Sequence, residues 1–400
     1  MIKTAWKNLA ILYPLPFLMA TMRIPQLEAL GSVLRWVVLA GGAGASIAIG
    51  LGFKSFGGHR INLTLADHLI LAFLGLFLIS QAWSIDPNYT VQRTVSLALL
   101  YATTFWAFWK YADCFSEEVL IDKLLKILGL VLTLNLILGF FVFPGGMLVG
   151  RFRGLFVNPN NIGIIMGLGL PLSVSHWLQT RQKIYLFIVT IFAVNLLASG
   201  SRSAMLGVAV AIAIILTSLM AQRPIQALLV ALIGITGIAV LSQTDFFVEQ
   251  VVREGSLVTG SNRTHFWELA RGYIANRPDF GHGFGADIII HDYYNVVLQD
   301  LRLRGNAVMS SYYGMAVQMG WPITIAFFGL IWSFIVFSLV KHWRDYSLVG
   351  LIAVLISGLI ISIFEPVVYS AGNAFSFLFW MVFMLAVRRL SYQKKGLLHI

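Results

Sequence analysis

The sequence predicts an all-α, polytopic membrane protein with about 12 transmembrane helices and one long external loop. Three observations carry that prediction. Hydrophobic residues fill 58% of the 400 positions and charged residues only 11%, with a mean hydropathy of +0.82, whereas soluble domains carry about 25% charge. The apolar residues gather into runs long enough to cross a hydrocarbon core of about 30 Å, which takes roughly 20 residues of helix. Once those runs are marked, the two kinds of cation separate: all ten lysines fall on one side, and the twelve cations on the other side are all arginine.

Taken in order, the spans are read at 9–22, 33–52, 67–83, 94–112, 124–143, 160–177, 184–199, 203–221, 225–242, 321–340, 346–363 and 368–388. The first is short, is kinked by Pro14 and Pro16, and lacks a small-x-small cleavage site, so it reads as an uncleaved anchor. An even number of spans returns the chain to its starting side. Lys3, Lys7, Arg388, Arg389, Lys394 and Lys395 make that side cytoplasmic, and Lys54, Arg60, Lys110, Lys123, Lys126, Arg181, Lys183, Arg223, Lys341 and Arg344 agree from the internal loops. The chain divides into a nine-span region (1–242), the external loop (243–320), and a three-span region with a cytoplasmic tail (321–400). Cys114 is the sole cysteine, which excludes an internal disulfide. The net charge of +11 follows from topology, and its dispersal among the spans points away from a nucleic-acid partner.

The loop 243–320 concentrates the external acids and histidines and holds six of the external arginines. A structureless loop of that length is unusual. Residues Arg263 to Asn276 are helical in pattern, with Ser261 or Asn262 as cap and Pro278 as terminator, which sets Arg263, Trp267 and Arg271 on one face. The glycines at 281, 283 and 285 make a tight turn and follow no strand, so they are no dinucleotide fingerprint. Residues 307–320 read as a short helix at or dipping into the outer interface, interrupted by Gly320-Trp321-Pro322.

An arginine surplus on the external side points to phosphate, because a guanidinium offers a planar, permanent charge that grips phosphate through two parallel hydrogen bonds. Arg202, after Ser199-Gly200-Ser201, opens a span from outside, where the helix dipole and unpaired N–H groups favour an anion. Arg151 and Arg153 precede Asn158-Pro159-Asn160-Asn161, which opens another; there the asparagines serve as caps, and Asn160 and the two arginines are candidate anion contacts. Arg263 opens the loop helix, and Arg271 and Arg277 follow it. The external histidines are His265, His282 and His291; with Glu254, Glu268, Asp279, Asp287 and Asp292 they are the candidate general bases. No histidine or carboxylate spacing matches a metal site. Ionisable residues within the spans are nearly absent, which counts against an ion-coupled transporter.

Four motifs, in order, resemble the superfamily of O-antigen ligases and Wzy-type O-antigen or exopolysaccharide polymerases: GRFRGLFVNPNNIG, SGSRSAMLG, SNRTHFWELARGYIANRPDFGHGFG and SSYYGMAVQMG. The resemblance implies a glycosyltransferase C-like membrane fold and a transferase in the bacterial inner membrane that uses neither metal nor other cofactor. It implies a donor glycan carried on undecaprenyl diphosphate, and a flippase and a chain-length regulator as partners. The family's arginines carry over to Arg202, with Leu206 completing the Arg-x3-Leu element, and to Arg263. Their implied role is to neutralise the departing diphosphate. Arg151, Arg153, Asn160, Arg271 and Tyr312 are the implied contacts to diphosphate or glycan.

One departure matters. The ligase pattern places a histidine followed by Asn, Ser or Gln, then nine residues and Gly-x-x-Gly. Here the histidine position is Met309, followed by Ser310 and Gly320; the second glycine position is Ile323, and the usual glutamate is Gln318. His291 is the expected substitute base, unless the hydroxyl loses its proton late and no strong base is needed. The missing histidine tilts the expectation from ligase to polymerase. A flippase or transporter of lipid-linked sugars is the rival from another class.

Overall fold

The computed structural model describes residues 12–50, 63–148, 150–225, 227–229, 231–232, 236, 263–293 and 308–394. Lys54, Arg60, Glu254, the caps expected at Ser261 or Asn262, and most of the span expected at 225–242 lie outside them. The described helices are α1 (Pro14–Met19), α2 (Pro25–Gly50), α3 (Leu65–Ile79), α4 (Pro87–Tyr101), α5 (Phe108–Phe115), α6 (Glu117–Phe141), α7 (Pro159–Thr180), α8 (Lys183–Ser199) and α9 (Arg202–Met220). They continue with α10 (Arg263–Asn276), α11 (Ala286–Tyr293), α12 (Ser311–Lys341), α13 (Tyr346–Ser362) and α14 (Ala374–Lys394). Seven helices among the described residues are long and apolar enough to cross a membrane, and α8 and α13 are apolar but shorter. A multi-pass membrane protein follows.

Helix starts are written in the sequence by side-chain caps. Thr64 and Asp67 form a capping box on α3, and the side chains of Asp86, Asn158, Ser310 and Asp345 cap α4, α7, α12 and α13. Pro87 and Pro159 occupy first-turn positions, where a missing N–H costs nothing.

The inner layer is α7, α13 and α14, whose residues are buried along most of their length, while α2, α3 and α12 turn apolar side chains such as Val33, Val37, Ile325 and Val340 outward. Lipid is as apolar as leucine, so helices in it associate through close packing and hydrogen bonds between them. Here Gly207 of α9 meets Ser357 of α13, and a side chain at Gly350 would collide with Ser175 of α7. Ser357 Oγ donates to the Gly167 carbonyl at 2.6 Å. At the lysine-bearing end, Arg389 bridges Glu117 and Asp345 while Arg388 bridges Asp113 and Glu117, tying the last turn of α14 to two neighbouring connections.

Several boundaries differ from those the hydropathy predicts. The second span starts at Pro25 rather than 33, and the fourth at Pro87 rather than 94, so Arg93 lies inside helix α4. Gln26, Glu28, Asn88 and Gln92 dilute the hydropathy of those first turns. The last span starts at Ala374 rather than 368, because Val367, Val368, Tyr369 and Ala371 form a buried connection instead of a helix. The expectation of an all-α chain is corrected by two short antiparallel strands, β1 (Met147–Leu148) and β2 (Arg151–Phe152). Their two-residue length leaves no alternation to read.

The break expected at Gly320 is present. Gly320 has φ 74° and ψ 171° and splits α12 into a short first part, 311–319, and a long second part. The break leaves the carbonyls of Val317 and Gln318 without helical partners. The glycine turn fills them: His282 N–H donates to Val317 O and Gly283 N–H to Gln318 O, each at 2.9 Å. The loop therefore docks as α10, turn and α11 against the first part of α12.

Candidate active site

The helices α7, α9, α12 and α14 all begin at one end of the bundle, so their positive dipole ends and unpaired N–H groups collect there. Asn135 of α6 holds the approach to α7: its Oδ1 accepts the Leu155 N–H at 2.7 Å, and its Nδ2 donates to Asn195 Oδ1 at 3.0 Å. That places Arg151, whose Nε donates to the Ser199 carbonyl at 2.7 Å and whose Nη2 donates to Asn160 Oδ1 at 2.6 Å. Asn160 Nδ2 in turn donates to Glu365 Oε1 at 3.2 Å. The same oxygen takes the Arg263 guanidinium at 2.6 Å.

One chain of contacts thus runs from Ser199, three residues before Arg202, through Arg151, Asn160 and Glu365 to Arg263. Arg202 is the first residue of α9, and its neighbour Ser201 packs so tightly on α7 that a side chain at Gly163 would sit 2.2 Å from Ser201 Cβ. The starts of α7 and α9 are therefore side by side. Phe364 stacks beneath the Arg263 guanidinium at 5.7 Å, and Trp267 packs near the same ring. Burial pushes the Glu365 carboxyl above the usual range; Arg263, Arg151 and Asn160 pull it back without cancelling the rise.

The connection 363–373 is the spine of the site. Ser311 Oγ donates to the Glu365 carbonyl at 2.8 Å and accepts the Val367 N–H at 2.9 Å, which locks the connection to the first turn of α12. Tyr369 donates to Asp287 Oδ2 at 3.0 Å. The Gly372 carbonyl accepts from Arg35 at 3.1 Å.

The other nominated residues lie apart from this network. Arg153 turns to the Gly145 carbonyl beside Arg23, and Arg271 is exposed on α10. Tyr312 stacks on Phe328 and accepts from Trp332, toward the second part of α12. His291 is buried; its Nδ1 meets the Tyr273 hydroxyl at 2.9 Å, and burial holds its pKa below the ordinary value. Met309, at the ligase histidine position, offers its carbonyl to Trp267 Nε1 at 2.8 Å. Gln318 is structural, since its Oε1 accepts the Gly285 N–H at 2.6 Å. Among the described residues no three His, Cys, Asp or Glu side chains gather as a metal site would require.

Sequence reasoning missed Glu365, Tyr369 and Arg93. A signal existed for the first: Glu365 is the only acidic residue after Asp345, and it stands beside a proline at a span start.

No curated protein matches this chain. Residues 186–328, which take in Arg202, Arg263, His291 and Tyr312 and leave Arg151, Asn160 and Glu365 outside, match the model of the family described as O-antigen ligase, so this part of the membrane protein is similar to that family.

Proposed function

We propose that this protein is a polysaccharide polymerase, O-antigen or exopolysaccharide in type, that moves a glycan from an undecaprenyl-diphosphate carrier to a hydroxyl of a lipid-linked acceptor. The family match supports a glycan-transferring membrane enzyme. The observation that carries the finer reading is the Arg263–Glu365 pair at the converging helix starts. A carboxylate already occupies a seat built from a guanidinium and an asparagine amide carried on the first turns of α10 and α7, which is the environment a departing diphosphate needs. In this reading the donor diphosphate takes the place of Glu365 against Arg263, with Arg202 at the adjacent helix start.

The reaction needs three things: charge neutralisation on the leaving group, a base for the acceptor hydroxyl, and exclusion of water. Arg202 and Arg263 supply the first. Asp287 and His291, one turn apart on α11, are the candidate bases. Ligase activity is the alternative, favoured by the family description and weakened by Met309 at the histidine position. The site faces the periplasm in this proposal, with both termini cytoplasmic and a flippase and chain-length regulator as partners.

The test is mass spectrometry of polyprenyl-diphosphate glycans in a strain lacking the gene, with and without a restored copy. Single repeat units accumulating on the carrier support the polymerase. Long lipid-linked chains that never reach a final acceptor would replace it with the ligase.

A further inference from the structure

Beyond the Arg263–Glu365 network, the described residues hold a second buried charged cluster. Asp287, in the first turn of α11, is 1% exposed. Its Oδ2 accepts the Tyr369 hydroxyl, while its Oδ1 has no hydrogen-bond partner among the described residues. Arg93 of α4 faces it. The two charges attract, and Arg93 Nε is likewise buried with no partner among the described residues.

The backbone makes room for this arrangement. Gly285 has φ 94°, and a side chain there would lie 2.8 Å from Arg93 Cγ and 3.2 Å from the Tyr89 ring. Across the cluster, a side chain at Gly314 would strike the Tyr369 hydroxyl and lie 3.4 Å from Asp287 Oδ2. Gly314 is three residues beyond Ser311, which binds the Glu365 carbonyl. Three residues of helix rise about 4.5 Å, so the contacts to Asp287 and to the Glu365 connection fall within one turn of α12. Tyr89 and Arg93 are both partly exposed.

The backbone N–H groups of Asp287 and Ile288 and the Tyr369 hydroxyl steady the charged carboxylate, which leaves Oδ1 and Arg93 Nε as the polar atoms of the cluster without a hydrogen-bond partner among the described residues. That pair of groups fits one hydroxyl, which accepts from Arg93 Nε and donates to Asp287 Oδ1. We propose that Asp287 Oδ1 and Arg93 Nε receive the acceptor sugar hydroxyl and that Asp287 is the general base of the transfer, a role that rests on the glycan-transfer reading above. As the acceptor oxygen bonds to the anomeric carbon, its proton passes to Asp287 Oδ1. The carbon–oxygen bond to the diphosphate breaks, and its electron pair leaves with the diphosphate toward Arg263. Asp287 later returns the proton to water.

The electrostatics agree with the geometry. Burial pushes the Asp287 carboxyl up to about 6, with Arg93 and the Tyr369 hydrogen bond limiting the rise. The groups facing it are Arg93 and Tyr89 from α4 and Tyr369 from the connection, while α12 presents the uncharged Gly314 and Gln318. A base that ionises just below neutrality suits proton transfer near pH 7.

The test uses the full-length protein in lipid nanodiscs with a polyprenyl-diphosphate oligosaccharide, following single-turnover transfer from pH 5 to 8.5 and donor binding by native mass spectrometry. Asp287→Asn is expected to lose about 100-fold in transfer while binding donor as wild type does. Tyr369→Phe removes a hydrogen bond that lowers the Asp287 pKa, so the ascending limb of its pH profile moves upward. Transfer by Asp287→Asn at near-wild-type rate would overturn the assignment while leaving the glycan-transfer reading intact. If Asp287→Asn does not accumulate, an unmoved limb in Tyr369→Phe overturns it. A wild-type protein that binds donor and transfers nothing would sink both.

Discussion

Glu365 Oε1 lies 2.6 Å from Arg263 Nη2, although 102 residues separate them in the chain. The pair is mostly buried, with side-chain exposures of 20% and 13% for Arg263 and Glu365. Removing one partner of such a pair leaves a charge without its counter-ion, so Arg263→Ala is expected to lower stability by about 2–3 kcal/mol, less than the full cost of a dry pair because some water reaches it. Arg263→Ala with Glu365→Gln should recover part of that loss, since no bare carboxylate remains. Neither variant should form polymer. Thermal unfolding of the four proteins in one detergent checks the cycle, and equal midpoints for the single and double variants would show that the two side chains do not depend on each other.

Asp287 gives the opposite sign. Its folded-state pKa of about 6 stands above the ordinary aspartate value, so the folded protein binds the proton more tightly than the unfolded chain. Its contribution is most favourable below pH 4 and is lost as pH rises toward 6. At pH 7.5, Asp287→Asn should therefore be more stable than wild type, by an amount on the order of 2 kcal/mol, and at pH 4 the gain should vanish. A variant that gains stability while losing transfer is the signature of a residue kept for chemistry. Melting curves of both proteins at pH 4, 6 and 7.5 measure it.

How much of this was legible depended on range in sequence. Asn158-Pro159, Arg202 after a serine-glycine pair, Arg263 ahead of Pro278 and the Gly320 break are local signals, and each marks a helix end where the structure has one. Glu365 was not legible as a site residue because its partners are 102 and 205 residues away. The connection at 367–372 misled for a different reason: Val-Val-Tyr-Ser-Ala-Gly reads as the start of a span, but its polar backbone is paired with Ser311, Ser376 and Arg35 rather than within a helix. Tyr312 is a candidate glycan contact by its motif alone, and helix phase sets its ring against Phe328.

Arg151 distinguishes shape from charge. Its Nε and Nη2 reach two acceptors at once, Ser199 O and Asn160 Oδ1. A lysine keeps the charge but has no planar fork to span both. Arg151→Lys is expected to cost about tenfold in transfer with little change in stability, because Asn160 loses the contact that orients its amide toward Glu365. Arg153→Lys, at a residue that bonds the Gly145 and Val157 carbonyls away from the Asn160–Glu365 network, should retain transfer. Parallel rate measurements on the two variants test whether Arg151 acts through geometry, and equal rates would mean that charge alone suffices.

The Gly320 break sets where α10, the glycine turn and α11 sit, which makes it a severe position outside the charged network. With φ 74° and ψ 171°, the backbone there is one that only glycine adopts without strain. A Cβ would also lie 2.4 Å from the Asp279 backbone, and the following Trp321 N–H donates to Pro278 O at 2.8 Å, so neither strand of the contact can move aside. Gly320→Ala is expected to cost at least about 2 kcal/mol and to lose transfer, because the freed Val317 and Gln318 carbonyls hold the turn that presents Asp287. Gly329, on the same helix, has open space around it, and Gly329→Ala should leave both stability and transfer unchanged. Comparing the two alanines by thermal unfolding and by transfer separates the demand for this break from a general demand for small residues in α12. Equal losses in both would mean that the kink does not position the site.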